Sequence, residues 1–221
     1  MNAVSNVSKK WSADVVLGKQ SRKITRKTEK IIVIGASTGG MEALKEILQR
    51  LPSCAPAIIL CQHMPATFSP TFVQLLGDCC AMKVLLAYDT QLLVAGHVYI
   101  APGGQHLLLQ RINHQYFFRL QTGPAVNRHK PSVDVLLRSV SQSAGENAIG
   151  VILSGMGDDG AQGMQEMHNS GALTIAQDEQ SSIVWGMPAR AIQCNAIDYI
   201  LSADLIAQKL LDLCIIEQSI L

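Results

Sequence analysis

Charged side chains and aromatic rings are scarce in this chain, and neither sign of charge is in clear excess. Asp, Glu, Lys and Arg make up 16% of the 221 residues, aromatic residues make up 5%, and the formal net charge is +1. A balance this even excludes a dedicated nucleic-acid binder, which would carry a strong basic excess. Apolar residues make up 48% of the chain, which excludes global disorder and predicts a sizeable core.

Long apolar runs of the kind that cross membranes are also missing. The stretch 51–77 contains no Asp, Glu, Lys or Arg, but four prolines interrupt it and prevent a spanning helix of about 20 apolar residues. The first thirty residues likewise lack the uninterrupted apolar stretch of a secretory signal. We therefore expect a cytoplasmic protein that does not span a membrane.

The six cysteines follow no metal-binding or redox pattern. They stand at 54, 61, 79, 80, 194 and 214, without a C-x-x-C pair and without the spacing of zinc ligands. Cys61 and Cys194 lie in apolar runs, where a thiol behaves as a small hydrophobic side chain. The pattern predicts free, buried thiols in a reducing compartment.

Charge is distributed unevenly along the chain. Residues 1–30 hold eight Lys and Arg against two acidic residues, whereas residues 31–221 hold ten basic and fifteen acidic residues. A short, strongly basic segment with little apolar content is typical of a solvated tail or linker. We therefore expect a basic, disordered tail or linker over 1–30 and a single domain over 31–221.

Short apolar runs recur along the domain and alternate with helical patterns. The runs are nearly continuous, as in strands covered on both faces of a parallel sheet, and stand at 31–34, 57–61, 84–87, 98–101, 149–153 and 172–176. Helical periodicity falls between them, at 44–51 and 133–140. The stretch 106–120 instead predicts two antiparallel strands around an Asn113–His114 turn.

These patterns predict a doubly wound α/β fold of the Rossmann-like kind. The expected sheet is mostly parallel and flanked by helices, with the antiparallel hairpin added to it. In such folds a ligand site lies beyond the carboxyl ends of the strands, so the loops that follow strands are the place to look for chemistry.

The loop after the first strand, 35–40, is rich in glycine and leads into a helix. A dinucleotide fingerprint would need Gly at Ser37, and a phosphate-binding P-loop would need Lys after Gly40; the chain has neither. The pattern G-x-S-x-G does fit, and it is typical of a sharp strand–turn–helix elbow that presents a nucleophilic serine. A serine that merely caps the helix is the alternative.

Two further strand-end loops supply residues that could act with Ser37. His63 follows the second strand and is placed to act as a base, although position alone does not exclude His97, His106 or His129. The loop 154–160 carries two adjacent aspartates, which could bind a cation, cap a helix or orient a histidine. Ser, His and Asp at three strand ends predict a catalytic triad, in a chain order unlike that of α/β-hydrolases.

Seven motifs, in order along the chain, make the sequence recognisable. They are IGASTGGMEAL (34–44), QHMP (62–65), YIAPGGQH (99–106), NRHKPSVDVL (127–136), GVILSGMGDDGAQGM (150–164), TIAQDE (174–179) and GMP (186–188). With these motifs the chain from about residue 30 to about residue 213 resembles the catalytic domain of the CheB-type family of chemotaxis protein-glutamate methylesterases.

The resemblance implies a site and an activity. The family's nucleophile falls on Ser37, its base on His63 and its orienting aspartate on Asp159, while Thr38 and Met156 match positions that line the active site. The implied reaction is hydrolysis of γ-glutamyl methyl esters on the cytoplasmic helices of chemoreceptors, with release of methanol. Some members also deamidate receptor glutamines. Neither a metal nor an organic cofactor is implied.

The sequence departs from the family in two places. Asp158 stands where the family commonly has Asn, so a second carboxylate adjoins Asp159 and would raise the pKa of one of the two if both faced the site. Members usually carry a receiver domain ahead of the catalytic domain, and the segment 1–30 is too short to form one. Without it, we expect a constitutively open domain, a separate regulatory partner, or a fragment of a longer protein.

Two other functions compete with receptor demethylation. A serine esterase for small soluble esters would need a deep, mainly apolar pocket, whereas a receptor helix needs an open groove. A binding module that docks on receptors or on a nucleotide would need no triad, and the broken nucleotide motifs and intact Ser, His and Asp argue against it.

Overall fold

The computed structural model describes residues 9–20 and 30–218, with side chains as far as Leu213. In this part of the chain nine strands and six α-helices follow one another. They are β1 (Ile31–Ala36), α1 (Gly40–Leu48), β2 (Ala57–Gln62), α2 (Ser69–Gly77), β3 (Lys83–Leu86), β4 (His97–Ile100), β5 (His106–Ile112), β6 (Gln115–Gln121), α3 (Val133–Ser143), β7 (Ala148–Ile152), α4 (Ala161–Asn169), β8 (Leu173–Gln177), α5 (Met187–Gln193), β9 (Tyr199–Leu201) and α6 (Ala203–Gln218).

Seven of the strands form one parallel sheet in the order β3-β4-β2-β1-β7-β8-β9. Every residue of β1, β2 and β7 is buried, because helices cover both faces of the sheet. Ile31 and Val33 face the layer of α3, α4 and α5, whereas Ile32 and Ile34 face that of α1, α2 and α6. The prediction of a doubly wound α/β fold is confirmed.

The predicted hairpin is present as β5 and β6, paired antiparallel in a two-stranded sheet of their own. Asn113 and His114 have positive φ angles of 49° and 70°, as a two-residue hairpin turn of this hand requires. The hairpin does not extend the parallel sheet, and its apolar face packs against α3. Leu109 N–H donates to Ser139 Oγ at 2.9 Å, and Ser143 Oγ donates to Leu109 O at 2.8 Å.

The segment 9–20 packs against the domain, where the sequence predicts a disordered tail over 1–30. Ala13 is buried against the hairpin and α3. The buried Arg138 of α3 donates to Asp14 Oδ1 at 2.7 Å and to Leu17 O at 2.9 Å. The buried alanine and the ion pair with Arg138 hold the segment on the domain. The basic composition of the segment does not predict either contact. Residues 1–8 and 21–29 of the predicted tail lie outside the described residues.

The sequence predicts that the chain has no membrane-spanning helix and that its cysteines are free, buried thiols. In the described ranges no helix is long and apolar enough to cross a membrane. The five cysteines whose side chains are described are free thiols, of which Cys61 is buried, Cys54 is exposed and the others are partly buried.

Arg138 joins the segment 9–20 to two helices, and its removal should destabilise the domain. Its guanidinium also forms two hydrogen bonds to Glu166 of α4, at 2.8 and 2.7 Å. We expect Arg138→Met to lower the free energy of unfolding by about 2 kcal/mol, because it removes both short hydrogen bonds of the largely buried Glu166 carboxylate and leaves it, among the described residues, only the exposed Lys19 at 3.9 Å. Urea denaturation measures this change.

The matched control is Arg50→Met, which removes an exposed arginine 3.6 Å from Glu46. Exposed pairs contribute about 0.5 kcal/mol or less, so this variant should unfold almost as the wild type does. Equal losses of stability in the two variants would contradict a special role for Arg138.

Candidate active site

Three neighbouring strands bring their following loops together at the carboxyl edge of the sheet. β1 lies between β2 and β7, and the register pairs Ala36 with Gln62, so Ser37 and His63 leave adjacent strands at the same level. His63 N–H donates to Ala36 O at 3.2 Å, and Ser37 N–H donates to Ser154 O at 3.0 Å. The strand order reverses direction between β1 and β7, the place where doubly wound sheets open a crevice for ligands.

Ser37 stands on a tight elbow between β1 and α1. Gly39 adopts a φ of 78°, and a Cβ there would lie 2.5 Å from Ile183 Cβ and 2.8 Å from Ser154 Oγ. Only glycine therefore fits this position without a shift of its neighbours. Gln62 Nε2 donates to Ser37 O at 3.0 Å, so the backbone of the elbow is held from both sides.

His63 forms a short hydrogen bond with Asp159. The distance from His63 Nε2 to Asp159 Oδ2 is 2.7 Å, and the two side chains are 7% and 1% exposed. The second ring nitrogen of His63, Nδ1, is buried and has no hydrogen-bond partner among the described residues. The imidazole is thus held by one nitrogen and has the other available.

The carboxylate of Asp159 lies at the first turn of α3, where helix N–H groups have no partner within the helix. Val133 N–H donates to Oδ2 at 2.8 Å, and Asp134 N–H donates to Oδ1 at 3.1 Å. Ser132 Oγ and Asn127 Nδ2 add bonds to Oδ1 at 2.8 and 2.9 Å. The free N–H groups and the dipole of the helix both favour a negative charge here.

The pKa of Asp159 follows from these contacts. Complete burial acts to raise it, but the hydrogen bond and charge of His63, with the bonds from Asn127 and Ser132, outweigh burial and lower the pKa. The carboxylate is therefore ionised at neutral pH, which suits it to orient the imidazole of His63.

A second buried carboxyl, Asp134, lies behind the first. Its Oδ1 accepts from Gly160 N–H at 2.9 Å and Gly163 N–H at 2.7 Å, and its Oδ2 accepts from Asn127 Nδ2 at 2.6 Å. Burial, and then the negative charge of Asp159, raise the pKa of Asp134 to about 7. Asn127 therefore donates to two neighbouring carboxyl groups. Asp134 keeps its proton below neutral pH, whereas Asp159 is ionised. No local sequence pattern predicts a role for Asn127 or Asp134.

His129 is the histidine that sequence position left open and that the structure brings to the site. Its ring is stacked on that of His63, with centroids 3.6 Å apart and planes 5° apart. Burial, and then the charge of His63, lower the pKa of His129, so its ring is neutral at pH 7. Of the other candidates, His106 bonds to Pro124 O and His97 to Ala95 O.

Asp158 does not share the environment of Asp159. Its side chain is 47% exposed and forms an ion pair with Lys10 of the segment 9–20. The extra carboxylate therefore points to the surface, and the raised pKa beside Asp159 belongs to Asp134 instead.

The other two predicted site residues, Thr38 and Met156, are both exposed, and Met156 is 72% exposed. Met156 follows Gly155, where a Cβ would lie 2.8 Å from Ser37 Cβ, so this loop touches the serine directly. Gly155 O accepts from Gly186 N–H and Met187 N–H at 3.1 and 2.8 Å, which holds the loop in place. Among the described residues, no cluster of three His, Cys, Asp or Glu side chains is placed to hold a metal ion.

A serine on an elbow, beside a histidine bonded to a buried carboxylate, is the arrangement found in serine hydrolases. Here it lies at the switch point of a doubly wound sheet. Comparison with known proteins makes the class specific: the chain belongs to the CheB methylesterase family, whose model matches residues 32–210.

Similar proteins support this assignment. Proteins named protein-glutamate methylesterase/protein-glutamine glutaminase are 50% identical in Hydrogenovibrio crunogenus and 49% identical in Rhizobium johnstonii, each over 95% of this chain. The chain spans 56% and 58% of those two relatives. The crystal structure of the Thermotoga maritima CheB methylesterase catalytic domain matches with a TM-score of 0.82 and 38% identity, over 85% of this chain and 100% of that one.

The raised pKa of Asp134 predicts that the domain takes up a proton on folding. An aspartate in the unfolded chain titrates at about 3.9, whereas Asp134 in the folded domain titrates at about 7. Between these values the folded state binds more protons at Asp134, so the contribution of this residue to the free energy of unfolding should fall as the pH rises from about 4 to 7. The lowered pKa values of His106 and His129 act in the opposite direction, so the slope of the free energy of unfolding against pH in urea denaturation should be more positive in Asp134→Asn than in the wild type.

The readout is the slope of the free energy of unfolding against pH. A loss of stability that is the same at every pH does not alter this slope. Asp78→Asn, at an exposed position, serves as the control and should keep the wild-type slope. Parallel curves for the wild type and Asp134→Asn would show that Asp134 gives up its proton at its ordinary pH.

Proposed function

We propose that this domain is a protein-glutamate methylesterase that hydrolyses γ-glutamyl methyl esters on the cytoplasmic helices of chemoreceptors. The observation that carries the proposal is the 2.7 Å contact between His63 and Asp159 next to Ser37, in a chain of the CheB methylesterase family. Such a substrate implies a cytoplasmic location. The names of the relatives support glutamine deamidation as a second reaction of the same site.

In the proposed mechanism, His63 accepts the proton of Ser37 through Nδ1, the ring nitrogen that has no hydrogen-bond partner among the described residues, and Ser37 Oγ comes within hydrogen-bond reach of it when substrate binds. Ser37 Oγ attacks the ester carbonyl carbon, and the tetrahedral intermediate collapses to a glutamyl-enzyme as His63 protonates the departing methanol. Water, activated by the same histidine, then releases the glutamate. Asp159 stabilises the imidazolium in both steps through its bond to Nε2.

The transient oxyanion needs hydrogen-bond donors beside Ser37. We assign this role to backbone N–H groups of Thr38 and Met156, because both residues adjoin the serine. Thr38 follows it on the elbow, and Met156 follows Gly155, which contacts it. A deamidation reaction would use the same donors, with ammonia leaving in place of methanol.

We place the domain boundary between residues 30 and 31, with 1–30 as a basic tail or linker and 31–221 as catalytic domain. In this assignment the segment 9–20 is a part of the linker that packs back on the domain. Lys10 of this segment forms an ion pair with Asp158 at the rim of the site. A separate regulatory partner that binds the segment would therefore act next to the site.

Ser37→Ala tests the proposal. Methanol release from methyl-labelled receptor membranes should fall by about a thousandfold or more, because triad members act as a unit. Ser53→Ala, at an exposed site, is the matched control and should retain wild-type release. Release that survives Ser37→Ala would overturn the nucleophile, and hydrolysis of small esters without release from receptors would favour a small-ester esterase.

The stacked ring of His129 predicts a graded effect on the same reaction. Stacking is worth about 1 kcal/mol, so His129→Ala should lower kcat by roughly fivefold to tenfold by loosening His63. His129→Phe keeps a flat ring in the same place and should recover most of the rate. Equal losses in both variants would show that the imidazole of His129, and not the stacking, matters.

A further inference from the structure

A tight turn beside the site contains two non-glycine residues in the left-handed region. Val126 and His129 exchange backbone hydrogen bonds of 3.0 and 2.8 Å, and between them Asn127 and Arg128 have φ angles of 48° and 71°. Turns of this kind favour Asn followed by Gly. Arg128 thus occupies, under backbone strain, the position that glycine fills best.

The turn is anchored on the side of Asn127 and projects Arg128 at its apex. Asn127 Nδ2 bonds to the two buried acids, and Asn127 N–H donates to Trp11 O at 2.8 Å. Arg128 is exposed, and in the described part of the chain it has neither a hydrogen-bond nor an ion-pair partner. The turn therefore fixes the backbone of Arg128, whereas its guanidinium has no partner among the residues described and is free to bind one.

Arg128 borders a cavity of about 320 Å³ that His63 also lines. The remaining lining residues are Met64, Pro65, His129, Lys130 and Pro131, with no carboxylate among them. Lys130 Nζ is engaged by Gly123 O at 2.9 Å. Arg128 is thus the basic side chain of this cavity that is available to an incoming anion.

An unpaired guanidinium here acts against the proposed reaction. His63 becomes positively charged when it takes the serine proton, and a second positive charge at the same cavity disfavours that state. A carboxylate bound to Arg128 would cancel the repulsion. A substrate that brings a negative charge to Arg128 would therefore add to the stabilisation that Asp159 already gives the imidazolium of His63.

We propose that Arg128 is a specificity-determining residue that pairs with a carboxylate of the protein substrate located close to the methyl ester. The planar guanidinium can bind a carboxylate through two hydrogen bonds. On a helical substrate, acidic residues three or four positions from the ester lie about 5–6 Å from it and fit this role. The inference rests on the proposed function. It adds that the site prefers methyl esters with an acidic residue one helical turn away.

The test compares two receptor helices that carry one γ-glutamyl methyl ester, with either Glu or Ala one helical turn away on each side. The wild type should show a kcat/KM for methanol release about threefold to fivefold higher on the Glu-flanked helix, because an exposed charged pair is weak. The ratio should shrink as salt is added.

Arg128→Gly removes the charge and relieves the backbone, so the turn should form at least as well as in the wild type. Its Glu/Ala ratio should fall close to one, and Arg128→Lys should retain an intermediate ratio. Arg50→Gln removes one arginine at the far end of α1 and should keep the wild-type ratio. A wild type without preference, or an Arg128→Gly variant that keeps it, would overturn the proposal.

Binding separates this inference from the proposed function. With Ser37→Ala in both backgrounds, titration of the two helices reports recognition without turnover. A preference for the Glu-flanked helix that disappears in Arg128→Gly supports the inference, even if the wild type releases no methanol. The absence of methanol release would overturn the proposed function but not the inference. Equal binding of both helices overturns the inference, whatever the enzyme releases.

Discussion

The site depends on a single buried negative charge, that of Asp159. A carboxylate without water would ordinarily neutralise itself, but here four donors besides His63 surround it, two of them N–H groups of the first turn of α3. The helix thus replaces the solvent, and the ionised carboxylate in turn fixes the ring of His63. Because α3 also packs on β5 and α4, the position of the histidine is tied to the core of the domain.

Keeping Asp159 ionised has a consequence for the residue next to it in space. Asp134 is buried beside the same charge, and two ionised carboxylates there would repel each other strongly. Asn127 donates to both acids, and the N–H groups of Gly160 and Gly163 bind Asp134 from the start of α4. The turn 126–129, α3 and the loop before α4 are therefore held by one network, so the geometry of His63 depends on residues that never touch it.

The sequence predicts most of the fold and the triad, but not the contacts that hold the triad. Near-continuous apolar runs identify the central strands because burial on both faces leaves a clear pattern, whereas β9 has three largely exposed residues and no such signal. Ser37, His63 and Asp159 could be found because they follow strands. Asn127, the stacking of His129 and the pairing of Asp14 with Arg138 join residues distant in sequence, and no local periodicity records them.

The surroundings of Ser37 favour a macromolecular substrate over a small ester. Thr38 is exposed, Met156 and Ile183 are 72% and 66% exposed, and Ile183 lies against the glycine of the serine elbow. A small ester would be bound by an enclosed apolar pocket that removes most of its surface from water. Here the apolar side chains stand outward at the rim, so their burial requires a partner that brings its own surface, as a receptor helix does. In the proposed function, the receptor helix would complete the site, both by covering this rim and by supplying a negative charge to the cavity beside His63.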